Sequence, residues 1–456
     1  MYQSIKPLFF FCLVAAILSL SSVSALNIKL AQLRFFLDMY RDYQGFRDFT
    51  RGIDPRLYYC NIDGVVCDEE GRLTELAIVN YNINGEIKNT FNQFIYLKKL
   101  IIDNCSVTMD PIFIKFFPDL TILSLSNNRI TGDIPDLTAP LSKIDLSGNY
   151  FTTLPRAISK LATYVNFGDN QFDQDLTTGK PLCDAPLTKV LKLHGNKFHG
   201  NPTNIFLCLP ELVELDISRN NFTGNITKGV LNLNKLVKFN ISHNQFSEHI
   251  PYFKVNKQLV EIDISGNKFE GIYNYDRFGF DHKFINMSHN KFQGRIPIFF
   301  SKMKKLEVLD LSDNMFQGNI PAFSSQVLIK LNLSYNILNG PMPSFNETTP
   351  SLKYLDLSYN RLAIVCDDLI FEETKIGVGD STCDVSNNLF FNKCTFDNCT
   401  ISNYGCERCY PTMVGKRPEV SASPDSYKFA FLILNIFGVL ILFQNVNSLL
   451  AVYQSD

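Results

Sequence analysis

The chain has 456 residues, of which 45% are hydrophobic and 19% charged, and this excludes intrinsic disorder, which needs low hydrophobicity and high net charge. Lys+Arg number 43 against 45 Asp+Glu, a formal net charge of -2, so no basic excess supports a nucleic-acid partner. Length would allow roughly two or three compact domains, but a domain count means little for a repeat array, so internal repeats are the first question.

In chain order, residues 1–25 read as a secretory signal. Lys6 precedes the apolar run Leu8 to Leu18, and Val23-Ser24-Ala25 has the small side chains of a cleavage site. Removal takes Cys12 and leaves eleven of the twelve cysteines for an oxidising lumen. Leu30, Leu33, Phe36, Leu37 and Tyr40 then fall at helical spacing. Further on, Leu120-Thr-Ile-Leu123-Ser-Leu125-Ser-Asn-Asn128-Arg-Ile130-Thr-Gly132-Asp-Ile134-Pro135 states a pattern that recurs about every 24 residues. Its asparagine returns at Asn128, Asn149, Asn170, Asn196, Asn220, Asn244, Asn267, Asn290, Asn314, Asn336 and Asn360. Two earlier units carry Cys105 and Tyr81 in that slot, which makes thirteen units.

These residues resemble the leucine-rich repeat family, in its plant-type extracellular subclass, over about residues 73–375. The resemblance implies an α/β repeat fold: a leucine-rich repeat solenoid, horseshoe or superhelix, with a parallel sheet on the concave face and disulfide-stabilised caps. Residues 26–72 correspond to the N-terminal cap. Tyr59-Cys60 through Gly64-Val65, Cys67, Gly71 and Leu76 match the subclass motif, with Ile62 where the family usually has tryptophan. On that resemblance Cys60 and Cys67 are bridged, and Cys105 is a family substitute for the asparagine with a buried thiol.

Within each unit, the two leucines of Leu-x-Leu point inward and the residue between them points to solvent, because side chains alternate along a strand. The asparagine is a buried amide that needs partners, and its donors and acceptor suit the backbone of its own and the neighbouring turn. Phe151, Phe172, Phe198, Phe222, Phe246, Phe269, Phe292 and Phe316 share one inward slot and predict a stacked core column. Cys183 lies thirteen residues after Asn170 and Cys208 twelve after Asn196, so they hold nearly the same phase on adjacent coils. Coils about 5 Å apart suit a disulfide between them. Residues 376–420 form a cysteine-rich C-terminal cap. Cys366, Cys383, Cys394, Cys399, Cys406 and Cys409 are read as disulfides there, rather than as zinc or redox ligands, with their pairing left open. Residues 421–456 hold a second apolar segment, Phe429 to Phe443, read either as a transmembrane helix or as a glycolipid-anchor signal.

No Gly-x-Ser-x-Gly, His-Glu-x-x-His or phosphate-cradling glycine loop occurs, so no catalytic residue, metal site or cofactor is expected. The outward strand residues run Asp216, Asn240, Asp263, Asn286, Asp310, Asn332, Asp356. Such alternation separates like charges and places an amide able to donate to both neighbouring acids. Sequons stand at Asn104, Asn221, Asn225, Asn240, Asn286, Asn332, Asn346 and Asn398. Sugar on the strand sequons would fill the C-terminal half of the concave face and leave units two to six for a partner. There the outward set holds Lys98, Lys99, Ile101, Lys143, Tyr164, Lys189, Lys192 and His194. Lys99, Ile101, Lys143, Tyr164, Lys192 and His194 are the candidate ligand-binding residues, suited to an acidic glycan or protein loop. The leading expectation is a membrane-anchored cell-surface recognition protein that resembles receptor-like proteins without a kinase domain. It would bind an extracellular protein, peptide or glycan, and any signal would need a co-receptor. The alternatives are an inhibitor of a secreted wall-degrading hydrolase, as in the polygalacturonase inhibitors its repeats resemble, and a passive coat protein.

Overall fold

The computed structural model describes residues 28–365 and 382–391, except 88–90, 92, 179, 272–276, 342, 344, 346–348 and 386. The chain divides into two compact units, Met1–Cys409 and Tyr410–Asp456, and every described residue lies in the first. The expected signal and anchor segments lie outside the described residues. So do Cys366, Cys394, Cys399, Cys406 and Cys409 and the sequons at Asn346 and Asn398.

The N-terminal end is closed by a helix over residues 28–42 and short helices Gln44–Phe49 and Pro55–Tyr58. The helix is present where the spacing placed it, but its buried face is turned from the expected one. Gln32, Phe35, Phe36 and Met39 are buried, while Leu30 is 55% exposed. Tertiary packing decides the rotation: Phe35 meets Phe91 and Phe94 of the first coil at 5.2 and 5.1 Å, and Phe36 stacks on Tyr59 at 5.0 Å. The buried Gln32 carbonyl oxygen accepts from the Tyr59 hydroxyl and from Leu73 N, tying the helix to the first repeat strand. Val65–Cys67 pairs antiparallel with Leu73–Val79 and covers the edge of the sheet.

From Leu73–Val79 onward every strand of the main sheet is parallel, in sequential order, and fifteen strands belong to it. The register sets inward residue against inward residue, as in Leu215 opposite both Leu191 and Phe239. A repeat of near-constant length returns each coil to the same place, so the inward positions merge into one core that runs from Phe35 to Val385. After most strands comes a second one, where a plain return loop was expected. Asn221–Gly224, Gln245–Glu248 and Met315–Gly318 are examples, grouped in smaller parallel sheets. The repeat also continues beyond residue 375. Thr382–Asp384 adds a fourteenth parallel strand, with Cys383 opposite Leu355, and Asn388 joins the asparagine series.

Asn244 shows how the asparagines act. Its amide nitrogen donates to the carbonyls of Ile217, Ile241 and Ser242 at 3.0–3.1 Å, and its oxygen accepts from Phe222 N at 3.0 Å. One side chain therefore satisfies its own turn and the turn of the coil before it. The same geometry recurs from Asn128 to Asn360. Cys105 occupies the slot as a free buried thiol, with Sγ 3.2 Å from Asp103 O, and burial pushes its pKa up to about 11. Seven of the eight predicted phenylalanines form an unbroken stack from Phe172 to Phe316, with centroids 5.4–6.5 Å apart and interplanar angles of 6–21°. Strands sit only about 4.8 Å apart. The coils are therefore wider at the phenylalanines than at the sheet, and this wedging makes the sheet side concave.

Cys60–Cys67 is bridged within the cap, and Cys183–Cys208 joins adjacent coils with Cα atoms 5.2 Å apart. Closing the 25-residue loop between Cys183 and Cys208 restricts the unfolded chain by an amount worth about 3 kcal/mol. Replacing both with serine should lower stability by up to that amount while leaving the circular dichroism spectrum unchanged.

His282 is buried beside Phe278, two residues before the strand Phe284–Asn286. Its Nδ1 lies 2.7 Å from Leu259 O and its Nε2 accepts from Gly279 N at 3.1 Å, so the neutral ring is the one that fits. Burial lowers its pKa below the ordinary 6.5, against the opposing pulls of the Leu259 carbonyl and Asp281. The unfolded chain then binds the proton more readily than the folded one. Stability is fully present above about pH 6.5 and is lost as pH falls through the depressed folded value. A His282→Asn variant, which keeps one donor and one acceptor, should lose less melting temperature between pH 7 and 5 than the native chain does.

Candidate recognition face

The concave sheet presents two rows of outward side chains, one starting each strand and one between the paired inward residues. A third row follows at the turn before each ladder asparagine. In the first row Lys99 lies 3.3 Å from Glu75, and the Lys143 ammonium sits 5.3 Å over the Tyr164 ring. The Tyr164 hydroxyl reaches Asp145 at 3.3 Å, and burial together with that carboxylate raises its pKa. Lys192, in the second row, is 2.8 Å from Glu214; partial burial opposes its charge, but the hydrogen bond and charge of Glu214, with Tyr164 and Asp216, together outweigh it and raise the pKa. Ile101 is half-buried on the same face. The structure thus brings the six candidates onto one surface, with Lys99 and Lys192 each beside an acid of the neighbouring strand. Surface pairs of this kind are worth about 0–1 kcal/mol and largely cancel each other's field.

His194 stands where most units have serine. Its Nε2 is 3.2 Å from Asp169 and its Nδ1 3.9 Å from Asp216, with no hydrogen bond to Nδ1. A Cβ at residue 168 would lie 2.4 Å from the ring, so Gly168 makes the room for it.

The second row is more tightly held than solvent-facing residues would be. Asp216 Oδ1 accepts from Ser218 N and Oγ at 3.0 and 2.6 Å, and Asn240 Oδ1 does the same with Ser242. The amides donate to one acid each rather than to two: Asn286 to Asp263 at 3.3 Å and Asn332 to Asp310 at 3.2 Å. The serine clasp fixes the amide plane, and that leaves its nitrogen aimed only at the preceding coil.

The third row was not read from the sequence. The residue before each ladder asparagine has φ between 50° and 65° in all thirteen units. In the first six it is Asn80, Asn104, Asn127, Gly148, Asp169 or Gly195, types that take this conformation cheaply. Further along it is Arg219, His243, His289, Tyr335 or Tyr359, which pay roughly 1 kcal/mol each. All five side chains are exposed. The signal was available: a run of Asn, Asp and Gly immediately before the key asparagine. Some of these side chains meet the same position on the next coil. His289 Nδ1 meets Asp313 at 2.6 Å, and the Tyr335 and Tyr359 rings stack at 4.2 Å.

With this geometry in place, the family described as Leucine Rich Repeat matches residues 119–141, 140–161, 305–326 and 351–372. The chain carries leucine-rich repeats. Its repeats are 30% identical over 154 residues to the receptor protein-tyrosine kinase CEPR1 of Arabidopsis thaliana, a match covering 31% of this chain and 16% of that protein. They are 30% identical over 125 residues to Receptor-like protein 54 of the same plant, covering 27% of this chain and 16% of that one. The leucine-rich repeat chain thus aligns with about a sixth of the length of the relatives it matches. Among solved structures, the Arabidopsis receptor kinase HAESA in complex with the peptide hormone IDA and the co-receptor SERK1 shares the fold. The TM-score is 0.62 at 21% identity, over 78% of this chain and 58% of that one. Among the described residues no helix is long and apolar enough to cross a membrane.

Proposed function

We propose that this chain is a cell-surface recognition protein whose concave sheet binds an extracellular peptide or protein, with a co-receptor chain as second partner. The observation that carries this is the unbroken parallel register from Leu73 to Asp384. It holds outward side chains in straight rows over about 60 Å, at about 4.8 Å per coil. A long, shallow, rigid array suits an extended chain or the flank of a protein better than a small molecule, which needs an enclosing pocket. The plant receptors it resembles include one solved with a peptide hormone and a co-receptor, which supports the same reading.

Substituting Lys99, Lys143 and Lys192 together by alanine tests the N-terminal half. Weaker binding of an identified ligand by the secreted chain is expected, and unchanged affinity would remove this half from the contact.

The sequons divide by geometry. Asn104, Asn221 and Asn225 are exposed. Asn286 and Asn332 spend both amide atoms on neighbours, and Asn240 is clasped by Ser242. Sugar there would break those bonds and stand between strands about 4.8 Å apart. Glycopeptide mapping should find glycan at Asn104, Asn221 and Asn225 and none at Asn240, Asn286 and Asn332, which keeps the C-terminal half of the sheet open. Occupancy on the strands would overturn that reading.

A further inference from the structure

The C-terminal half of the sheet carries aromatic rings on both sides of its second row. On one side Tyr335 and Tyr359 are 52% and 47% exposed, stacked, and held in a backbone conformation that disfavours them. On the other side stand Phe284 and Tyr354, half-buried at the strand starts. Strand residues two apart lie about 6.7 Å from each other along the strand, so these rings bound a shallow trough.

The floor of the trough is acidic with a fixed spacing. Lys238 pairs with Glu261 and Lys283 with Glu307, so charge cancels along the flanks and the excess lies on Asp216, Asp263 and Asp356, with Asp310 met by Lys330. Each of these gives one oxygen to its serine. At Asp310 the chain supplies a cation of its own: the Lys330 ammonium is 3.2 Å from the remaining oxygen and 5.0 Å over the Tyr354 ring. An ammonium seated between a floor acid and a rail ring is the contact a basic ligand side chain would make.

The acids recur on every second strand, about 9.6 Å apart. A polyproline II chain rises about 3.1 Å per residue with three residues per turn, so every third side chain returns to the same face after about 9.3 Å. A β-strand repeats at about 6.7 Å, and an α-helix comes nearest at seven residues and about 10.5 Å, so both drift out of step. We propose that this trough docks an extended polyproline II peptide with a basic residue at every third position, its cations on alternate aspartates and its prolyl rings on Tyr335, Tyr359 and Tyr354. The inference rests on the recognition reading above and names the class of ligand.

The test uses the full-length chain and a fluorescent peptide of repeated Pro-Pro-Lys triplets. The same composition with lysine at every second or fourth position serves as control. The triplet peptide should bind, and the reordered peptides at least ten-fold more weakly. The combined Asp216→Asn, Asp263→Asn and Asp356→Asn variant should bind it at least ten-fold more weakly too. Its fold is safe, because Asn240, Asn286 and Asn332 already keep the serine clasp. Tyr335→Ala with Tyr359→Ala should cost several-fold. Equal affinity for reordered peptides, no effect of the aspartate substitutions, or no binding of the triplet peptide would each overturn the inference. Selection from random displayed peptides, with a hydrogen-exchange footprint, separates the two readings. Binders on the sheet without the three-residue period end this inference and leave the recognition reading standing, whereas absence of any binder on the sheet ends both.

Discussion

Replacing Asn244 with alanine will lower the unfolding free energy by about 1–3 kcal/mol. The substitution leaves buried Phe222 N without its acceptor, and takes one of two side-chain donors from Ile217 O and Ile241 O, which keep Asn220 and Asn267. An unpaired buried group costs about 1–3 kcal/mol. Ser242 O likewise keeps a donor, because it also accepts from Arg219 N. Aspartate at the site should be no better, since it keeps an acceptor but turns a carboxylate toward the carbonyls. Cysteine should be milder than alanine, as Cys105 already fills this slot with its thiol against Ile78 O and Asp103 O. Because contacts in a solenoid are between neighbours, the damage should centre on adjacent coils. Denaturant unfolding measures the total, and faster exchange of the Phe222 amide locates it. A loss under about 1 kcal/mol would mean that water replaces the amide and that the ladder is not what joins the coils.

Phe222→Ala should cost more, about 3–5 kcal/mol, by leaving a cavity in the stack. Phe222 is fully buried and lies 6.2 Å from both Phe198 and Phe246. Its neighbours are fixed by their own strands and cannot close the gap without sliding a coil. Phe222→Leu keeps most of the volume and should lose under half as much. The two predictions are coupled, because the amide Phe222 presents to Asn244 belongs to the same turn the ring holds in place. The double variant should therefore fall short of the sum of its parts, by a margin that thermal and denaturant unfolding can measure.

Much of this was legible in the chain itself. The asparagines from Asn128 to Asn360, the phenylalanine column, and the matched phase of Cys183 and Cys208 are all statements about position within a repeat, and a repeat of near-constant length carries position into space. The fourteenth unit escaped notice because Cys383 stands opposite Leu355 where a leucine was sought, although Val385 and Asn388 complete the pattern. The left-handed third row escaped because its residue types vary: the first six units show the tolerant ones, but later units mix Gly266 and Asp313 with arginine, histidine and tyrosine.

Whatever depends on phase along the repeat could thus be worked out from residue order alone: the inward leucines, the buried amide, the coil count to within one, and which strand residues point outward. Whatever depends on which neighbour a side chain chooses could not. The helix at residues 28–42 turned to bury Phe35 and Met39 because rings of the first coil lay there. Lys99 and Lys192 look free in the sequence and stand beside Glu75 and Glu214 in the fold. The amides of Asn286 and Asn332 chose the preceding acid because a serine two residues on held them. Periodicity sets where a side chain starts. The direction it takes is a competition between contacts on different coils, separated by about 24 residues of chain and about 5 Å of space, and only packed coils decide it.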